Sequence, residues 1–259
     1  KQEAYIKTIG NDGDPEGRSR SFGYAVALSA DGSVLAVGSP GSNLPESGEL
    51  EGTTYSAAHI YRKASGQWQP EAIINSPDST LQARFGTSLA LSADGALLAV
   101  GEDHALSFHN MDLFNKGRAH TYVYADGQWA FQATLQPEIG VKKNGFGSQI
   151  ALSGSGDLIA VCAPDDAGDS VALASDSGAE SLSQSGAAYV FSAREGQWLQ
   201  QSFIKAPNPD EGDDFCSSLG LSASGSTLAI GAAREDGSAT GFGGEMNNNA
   251  VDAGAVYLY

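Results

Sequence analysis

The stretch FGYAVALSADGSVLAVGSP at residues 22–40 recurs as FGTSLALSADGALLAVGED from Phe85, FGSQIALSGSGDLIAVCAP from Phe146 and FCSSLGLSASGSTLAIGAA from Phe215. The Phe residues that open the copies lie 63, 61 and 69 positions apart, a period long and regular enough to signal a repeat architecture. A length of 259 residues would by itself suggest two domains. The repeat runs from end to end, so residues 1–259 read as one domain with no interior linker.

Within the first copy, Ala25–Leu28 and Val34–Val37 are short β-prone runs around Ser29-Ala30-Asp31-Gly32. Asp-Gly or Ser-Gly stands at the same place in every copy (Asp94-Gly95, Ser155-Gly156, Ser224-Gly225) and supplies the positive φ of a tight hairpin. A third strand rich in aromatics follows (AHIYRK, AHTYVYAD, AAYVFSA, GAVYLY). A second tight turn and a Trp then open a fourth (SGQWQPEAII, DGQWAFQATL, EGQWLQQSFI). Four antiparallel strands per unit with little sign of helix predict an all-β propeller of four-stranded blades. A β-sandwich with fortuitous internal similarity is the competing arrangement. Recurrent glycines (Gly23, Gly86, Gly147 after Phe; Gly38, Gly101, Gly231 closing the second strand) mark places where backbones approach closely.

On these residues the chain resembles the FG-GAP repeat β-propeller family. Phe-Gly and Gly/Cys-(Ala/Ser)-Pro bracket the hairpin, and Gly254-Ala255-Val256-Tyr257-Leu258-Tyr259 closes the module. The likeness covers nearly the whole chain. It is similar to the heads of integrin α-subunits, and more so to the bacterial and algal extracellular variant carrying VALS-x-DG-x-x-LAVGAP and G-x-W. The resemblance implies adhesion or ligand binding outside the cell, not catalysis. One departure matters: integrin-type repeats place a calcium loop, D-x-N/D-x-D-G-x-x-D, between the first two strands. Here that segment is Ser-Ala-Asp-Gly or Ser-Gly-Ser-Gly. One carboxylate at most cannot satisfy a cation that takes six or more oxygens, so no Ca²⁺ is expected in the Asp-Gly hairpins.

The two ends are complementary in phase. Residues 254–259 form a third strand lacking its fourth, and KQEAYIKTIGNDGDPEGRSRSF lines up with WLQQSFIKAPNPDEGDDF, a fourth strand lacking its blade. The 21 residues before Phe22 and the 45 from Phe215 onward together make 66, within the range of the complete modules. The expectation is a four-bladed ring in which residues 1–21 complete the last blade and hide two sheet edges. A fragment of a seven-bladed propeller is the alternative.

Lys plus Arg total 14 against 31 Asp plus Glu, a net charge of −17. Such a chain suits cations, sugars or basic proteins and argues against a nucleic-acid partner, which needs basic surface. No apolar run approaches a membrane span, so no direct membrane insertion is expected. Nor does an N-x-Ser/Thr sequon with a permitted middle residue occur.

Cys162 stands where other copies have Gly38, Gly101 and Gly231, and Cys216 where they have Gly23, Gly86 and Gly147. Loss of two glycines at adjacent corners of neighbouring blades predicts a Cys162–Cys216 disulfide and an oxidising, extracellular or cell-surface setting. Two buried thiols are the alternative. Strand order puts the loops after each second strand (roughly residues 39–56, 102–117, 163–185 and 232–252) on one face with the linkers between modules. They are long and unlike one another, which points to function there. Carboxylates crowd this face: Asp12, Asp14 and Glu16; Asp165, Asp166 and Asp169; Asp210, Glu211, Asp213 and Asp214. They are the candidate ligand-binding residues and can offer oxygens to Ca²⁺, although none has EF-hand spacing; a solvated acidic rim is the plainer reading. His104 and His109 lack a third metal-ligating partner, and Trp68, Trp129 and Trp198 fit repeated packing between blades better than sugar stacking.

The function expected from all this is a non-enzymatic extracellular module that binds a protein or glycan through the long-loop face. A structural unit of a surface filament or large adhesin, contacting neighbouring subunits, is an alternative. A hydrolase-type propeller enzyme is another: no linear catalytic motif is present, but propeller enzymes draw residues from several blades, and fold alone does not exclude catalysis.

Overall fold

The computed structural model describes residues 2–7, 21–41, 56–77, 84–103, 117–138, 145–170, 173–174, 181–244 and 246–259. Its strands fall into four antiparallel sheets, one per repeat, as the Phe spacing predicts. The first blade comprises β1 (Val26–Leu28), β2 (Val34–Ser39), β3 (Ala57–Ala64) and β4 (Gln67–Asn75), in that spatial order. The second repeats it with β5 (Arg84–Leu91), β6 (Leu97–Asp103), β7 (Arg118–Ala125) and β8 (Gln128–Leu135). The third holds β9 (Ile150–Leu152), β10 (Leu158–Ala163), β12 (Ala187–Arg194) and β13 (Gln197–Ile204), with a two-residue fifth strand, β11 (Leu173–Ala174), on the outer edge of β13. The fourth has three strands, β14 (Phe215–Leu221), β15 (Leu228–Ala232) and β16 (Ala255–Leu258). The register between third and fourth strands shifts at one equivalent place in three blades, Ile60/Tyr61, Thr121/Tyr122 and Val190/Phe191. No helix among the described residues is long and apolar enough to cross a membrane.

Each hairpin is closed by its own polar residues. Ser29 Oγ donates to Asp31 Oδ1 at 2.7 Å, and the same two side chains accept the amides of Val34 and Ser33 at 2.9 Å. Ser92 and Asp94 repeat the arrangement, and Ser153 with Asp157 vary it. The Ser29 hydrogen bond, aided by Ser33, lowers the Asp31 carboxyl to about 2. These carboxylates therefore serve the turn itself. A run of backbone bonds then ties the four turns together: Ala30 N to Ala93 O, Ala93 N to Gly154 O, and Gly154 N to Ala223 O, at 3.0, 2.9 and 2.8 Å.

Blades stack face to face through three apolar clusters. Phe85 and Leu89 lie with Val34, Ala36 and Ile60 of the first blade; Phe146 and Ile150 with Ala99, Ala119 and Leu135 of the second; Phe215 and Ile230 with Ala160, Ala188 and Ile204 of the third. Phe85, Phe146 and Phe215 are fully buried, each worth about 1.5–3 kcal/mol of transfer free energy. Two of the three tryptophans join blades as expected: Trp129 Nε1 donates to Glu71 Oε2 at 3.0 Å and Trp198 Nε1 to Gln132 Oε1 at 3.2 Å. Tyr122 reaches back to the carbonyl of Asn75, and Tyr259 to that of Lys205, both at 3.2 Å.

The glycines at the corners sit where a side chain would collide. A Cβ added to Gly38 or Gly101 would overlap the carbonyl oxygen of Gly86 or Gly147 in the next blade. At the third corner the disulfide replaces this contact: Cys162 and Cys216 are bonded with their Cα atoms 5.3 Å apart. Cys216 has φ +70°, close to the +90°, +89° and +95° of its glycine counterparts Gly23, Gly86 and Gly147.

Among the described residues the expected closing pair is not present. Residues 2–7 carry no strand, and Glu3 forms an ion pair with Lys63 in the first blade instead of aligning on β16. β16 pairs only with β15, and the run of turn-to-turn bonds begins at Ala30 and ends at Ala223 among the described residues.

Candidate ligand-binding face

Asp12, Asp14, Glu16, His104 and His109 lie outside the described residues. The other candidate carboxylates converge at the junction of the third and fourth blades. The linker there is stitched to both neighbours: Gly212 N and Asp214 N donate to Ser183 O and Gln184 O at 2.9 and 3.1 Å, and Arg234 N donates to Asp213 O at 3.2 Å. The disulfide joins the same two blades.

Asp165 and Asp169 are exposed, with Asp169 Oδ2 accepting from Ser181 Oγ at 2.9 Å. Asp166 turns inward. Its Oδ1 accepts from Lys205 Nζ at 3.0 Å and from Gly168 N at 3.0 Å, and Tyr189 OH donates to Oδ2 at 3.3 Å. Lys205 Nζ also donates to Ser185 Oγ at 2.7 Å. The Asp166 and Lys205 side chains are wholly buried. Desolvation pushes the Lys205 amine down and the Asp166 charge opposes it. A buried pair so fully hydrogen-bonded anchors the 163–185 loop to the end of β13. It cannot meet a ligand, so Asp166 differs in role from its two neighbours in sequence.

Asp210 is half-buried, with Oδ2 accepting from Asn248 Nδ2 at 2.7 Å. Glu211 is exposed and Asp214 half-buried. Asp213 is buried, and its Oδ2 accepts the Asp210 amide at 2.7 Å. Desolvation, with the charges of Glu235, Asp210 and Asp236 adding to it, pushes the Asp213 carboxyl up to about 6. Glu235 takes hydrogen bonds from Asn208 Nδ2 at 2.8 Å and Tyr257 OH at 2.9 Å. Burial, reinforced by Glu235, holds the Tyr257 hydroxyl protonated. Glu235 and Asp236 thus belong to the acidic junction, although the sequence reading passed over them. The signal was available in Arg234-Glu235-Asp236, at the start of the loop that follows β15. Among the described residues no three His, Cys, Asp or Glu side chains cluster closely enough to hold a metal ion.

Two further polar groups have the residue types of hydrolytic machinery but not its geometry. Glu102 Oε2 contacts His120 Nε2 at 2.9 Å and accepts from Ser76 Oγ at 2.7 Å, while His120 Nδ1 lies 3.0 Å from Thr134 Oγ1. Ser76 meets the acid, not the imidazole, so the order needed to activate a nucleophile is absent. Ser185 and Lys205 form a Ser–Lys pair, but both are wholly buried. Both groups stitch loops and blades.

No protein-family model matches the chain, and no curated protein does. Among solved structures it is similar to hydrazine synthase of Kuenenia stuttgartiensis, at 14% identity and TM-score 0.45 over 88% of this chain and 45% of that one. It is also similar to Sqt1 of Chaetomium thermophilum, at 18% identity and TM-score 0.48 over 85% and 43%. A third is the periplasmic gluconolactonase of Pseudomonas aeruginosa, at 16% identity and TM-score 0.35 over 80% and 64%. The chain spans less than half the length of the first two. The expectation of a non-enzymatic chain is corrected: a gluconolactonase is among the solved structures it is similar to, and a propeller fold does not by itself exclude catalysis. The propeller fold stands on the four repeated sheets.

Proposed function

We propose that the chain recognises a cationic or polyhydroxylated ligand, a basic protein segment or a glycan, on the acidic face at the junction of its third and fourth blades, in an oxidising, non-cytoplasmic setting. The observation that supports this is that Asp213 lies close to Asp210, Glu235 and Asp236, with Glu211 and Asp214 in the same linker, at a junction tied by backbone bonds and a disulfide. Carboxylates held on a rigid frame bind cationic groups without first ordering a loop, which raises affinity. The FG-GAP resemblance supports an adhesive context. The test is calorimetric titration of lysine-rich peptides and an oligosaccharide panel, with and without Ca²⁺. Combined substitution of Asp210→Asn, Glu211→Gln and Asp214→Asn should weaken binding on the order of tenfold, with a marked salt dependence. Unchanged affinity in the variant, or no binding to any probe, would count against the reading.

A second reading is hydrolysis at the same place, favoured by Asp213. A carboxyl titrating near neutrality suits general acid–base work, although its burial requires the junction to open for substrate. The surrounding negative charge favours a neutral lactone over a phosphorylated one. Turnover of a gluconolactone that is lost in Asp213→Asn would support this reading; no turnover by the unaltered chain would dismiss it.

A further inference from the structure

Lys205 and Asp166 stand apart from the other paired amine among the described residues. Lys63 and Glu3 pair with both side chains partly in solvent, whereas Lys205 and Asp166 expose none of their side-chain surface. Lys205 Nζ lies 3.0 Å from Asp166 Oδ1, which is one bond from the carboxyl carbon. Two charges held out of water carry a desolvation cost that a neutral product would not. Desolvation is the largest influence on the Lys205 amine and pushes it down, against the opposing charges of Asp166, Asp169 and Asp213. A desolvated lysine becomes a nucleophile once it gives up a proton, and here an oxygen of its own target is in place to take it.

The surrounding groups suit an amide as well as an ion pair. Asp166 Oδ2 accepts from the Tyr189 hydroxyl at 3.3 Å, and Tyr189 is itself wholly buried. Ser185 Oγ accepts from Lys205 Nζ at 2.7 Å, while its own hydroxyl is directed at the carbonyl oxygens of Asp166 and Gly168, both at 3.1 Å. One carboxylate oxygen thus has a donor besides the lysine, and the nitrogen has an acceptor besides the carboxylate. An amide between Nζ and Cγ would keep both, with its carbonyl oxygen on Tyr189 and its N–H on Ser185. Glu102 and His120 are equally buried, but an imidazole forms no lasting amide.

We propose that Lys205 and Asp166 become joined by an intramolecular isopeptide bond. Nζ passes one proton to Oδ1 along their hydrogen bond, leaving a free amine beside a neutral carboxyl. The Nζ electron pair attacks Cγ, and the negative charge that develops on Oδ2 meets the Tyr189 hydroxyl. The Cγ–Oδ1 bond then breaks; the departing hydroxyl takes a second proton from Nζ and leaves as water, away from the Gly168 amide that held Oδ1 at 3.0 Å. An ammonium and a carboxylate become one secondary amide and one water, with no oxidant, cofactor or change of net charge. Fixed proximity of the two groups replaces the encounter that such a condensation lacks in solution. The bond ties the loop after β10 to the end of β13 across 39 positions, in the blade that also carries Cys162, and unlike the disulfide it withstands a reductant.

Mass spectrometry of the folded chain, intact and after reduction and trypsin digestion, tests this. The intact chain should be lighter than its sequence by one water beyond the two hydrogens of the disulfide. After reduction, fragments 144–194 and 195–234 should remain one joined species, uncut at Lys205. Lys205→Arg keeps a cation opposite Asp166 but no amine to acylate, and should show no loss of water and separate fragments. Tyr189→Phe should slow joining on the order of a hundredfold, so that freshly folded chain is caught unjoined. An unaltered chain that has lost no water and is cut at Lys205 overturns the proposal, whatever the variants do. So does loss of one water with the two fragments separate, the result that succinimide formation at an Asp-Gly pair would give.

Discussion

β1 and β5 have nearly the same sequence and opposite surroundings. Ala25-Val26-Ala27-Leu28 and Ser88-Leu89-Ala90-Leu91 each follow a Phe-Gly pair and lead into a Ser-Ala-Asp-Gly turn. β5 is pressed onto the first blade, whereas Val26 and Leu28 of β1 stand exposed. The difference teaches that blade formation and blade stacking are separable. Local hairpin chemistry makes the strand in both places, while burial of its outward face depends on a blade stacked against it.

Removing the shared aromatic from an inner and an outer blade should break the equivalence most sharply. Phe146→Ala should cost about 3–5 kcal/mol because its ring is wholly enclosed. Phe22→Ala, with its ring partly in solvent, should cost less than about half of that, and chemical denaturation of both variants measures the contrast. Next in size is the disulfide. It spans 54 residues, for which loop-closure entropy gives about 4 kcal/mol, with measured values for such bonds often nearer 2. The Cys162→Ser, Cys216→Ser double variant should melt correspondingly lower, with the third–fourth junction opening first in hydrogen exchange.

Gly101→Ala sharpens the comparison at a corner without a disulfide. The new Cβ would strike the Gly147 carbonyl and the Ser88 hydroxyl, at a cost of about 1–3 kcal/mol for overpacking. A pH effect comes next. The Asp213 carboxyl titrates at about 6 in the fold against an ordinary value of 3.8. Between those values the folded chain holds more protons than the unfolded one, so this contribution to stability falls as pH rises from about 4 to 6. Asp213→Asn should flatten that slope in melting curves. The smallest effect belongs to Val26→Ala in dilute solution, less than about 0.5 kcal/mol, against roughly 2–4 for Leu89→Ala at the equivalent buried site.

The blades, their hairpins and the Cys162–Cys216 bond were legible because each is set by local pattern repeated in fixed phase. A missing glycine stands out only when three other copies show what belongs there. The place of residues 2–7 was not legible in the same way: a strand-like sequence states that it wants a sheet and not which edge it will reach, and these residues carry no strand. The acidic face was legible as composition and only partly as structure. Asp165, Asp166 and Asp169 look alike in sequence, yet Asp166 meets the lysine just past the end of β13 and is buried with it. Lys205 carried no sign of that role, since a lone lysine at a strand end ordinarily reads as solvated. Glu102 and His120 were likewise invisible as a pair because their strands meet only in the folded sheet.

Thiol labelling of Val26→Cys and Leu89→Cys in separate chains, at low concentration with the native disulfide intact, tests most directly whether equivalent blade faces are buried inside and uncovered at the end. Val26→Cys should react at nearly the rate of an exposed thiol, and Leu89→Cys should stay protected until the chain unfolds. Equal protection at both positions in a monomeric sample would show that the end face is covered within one chain and would contradict the account.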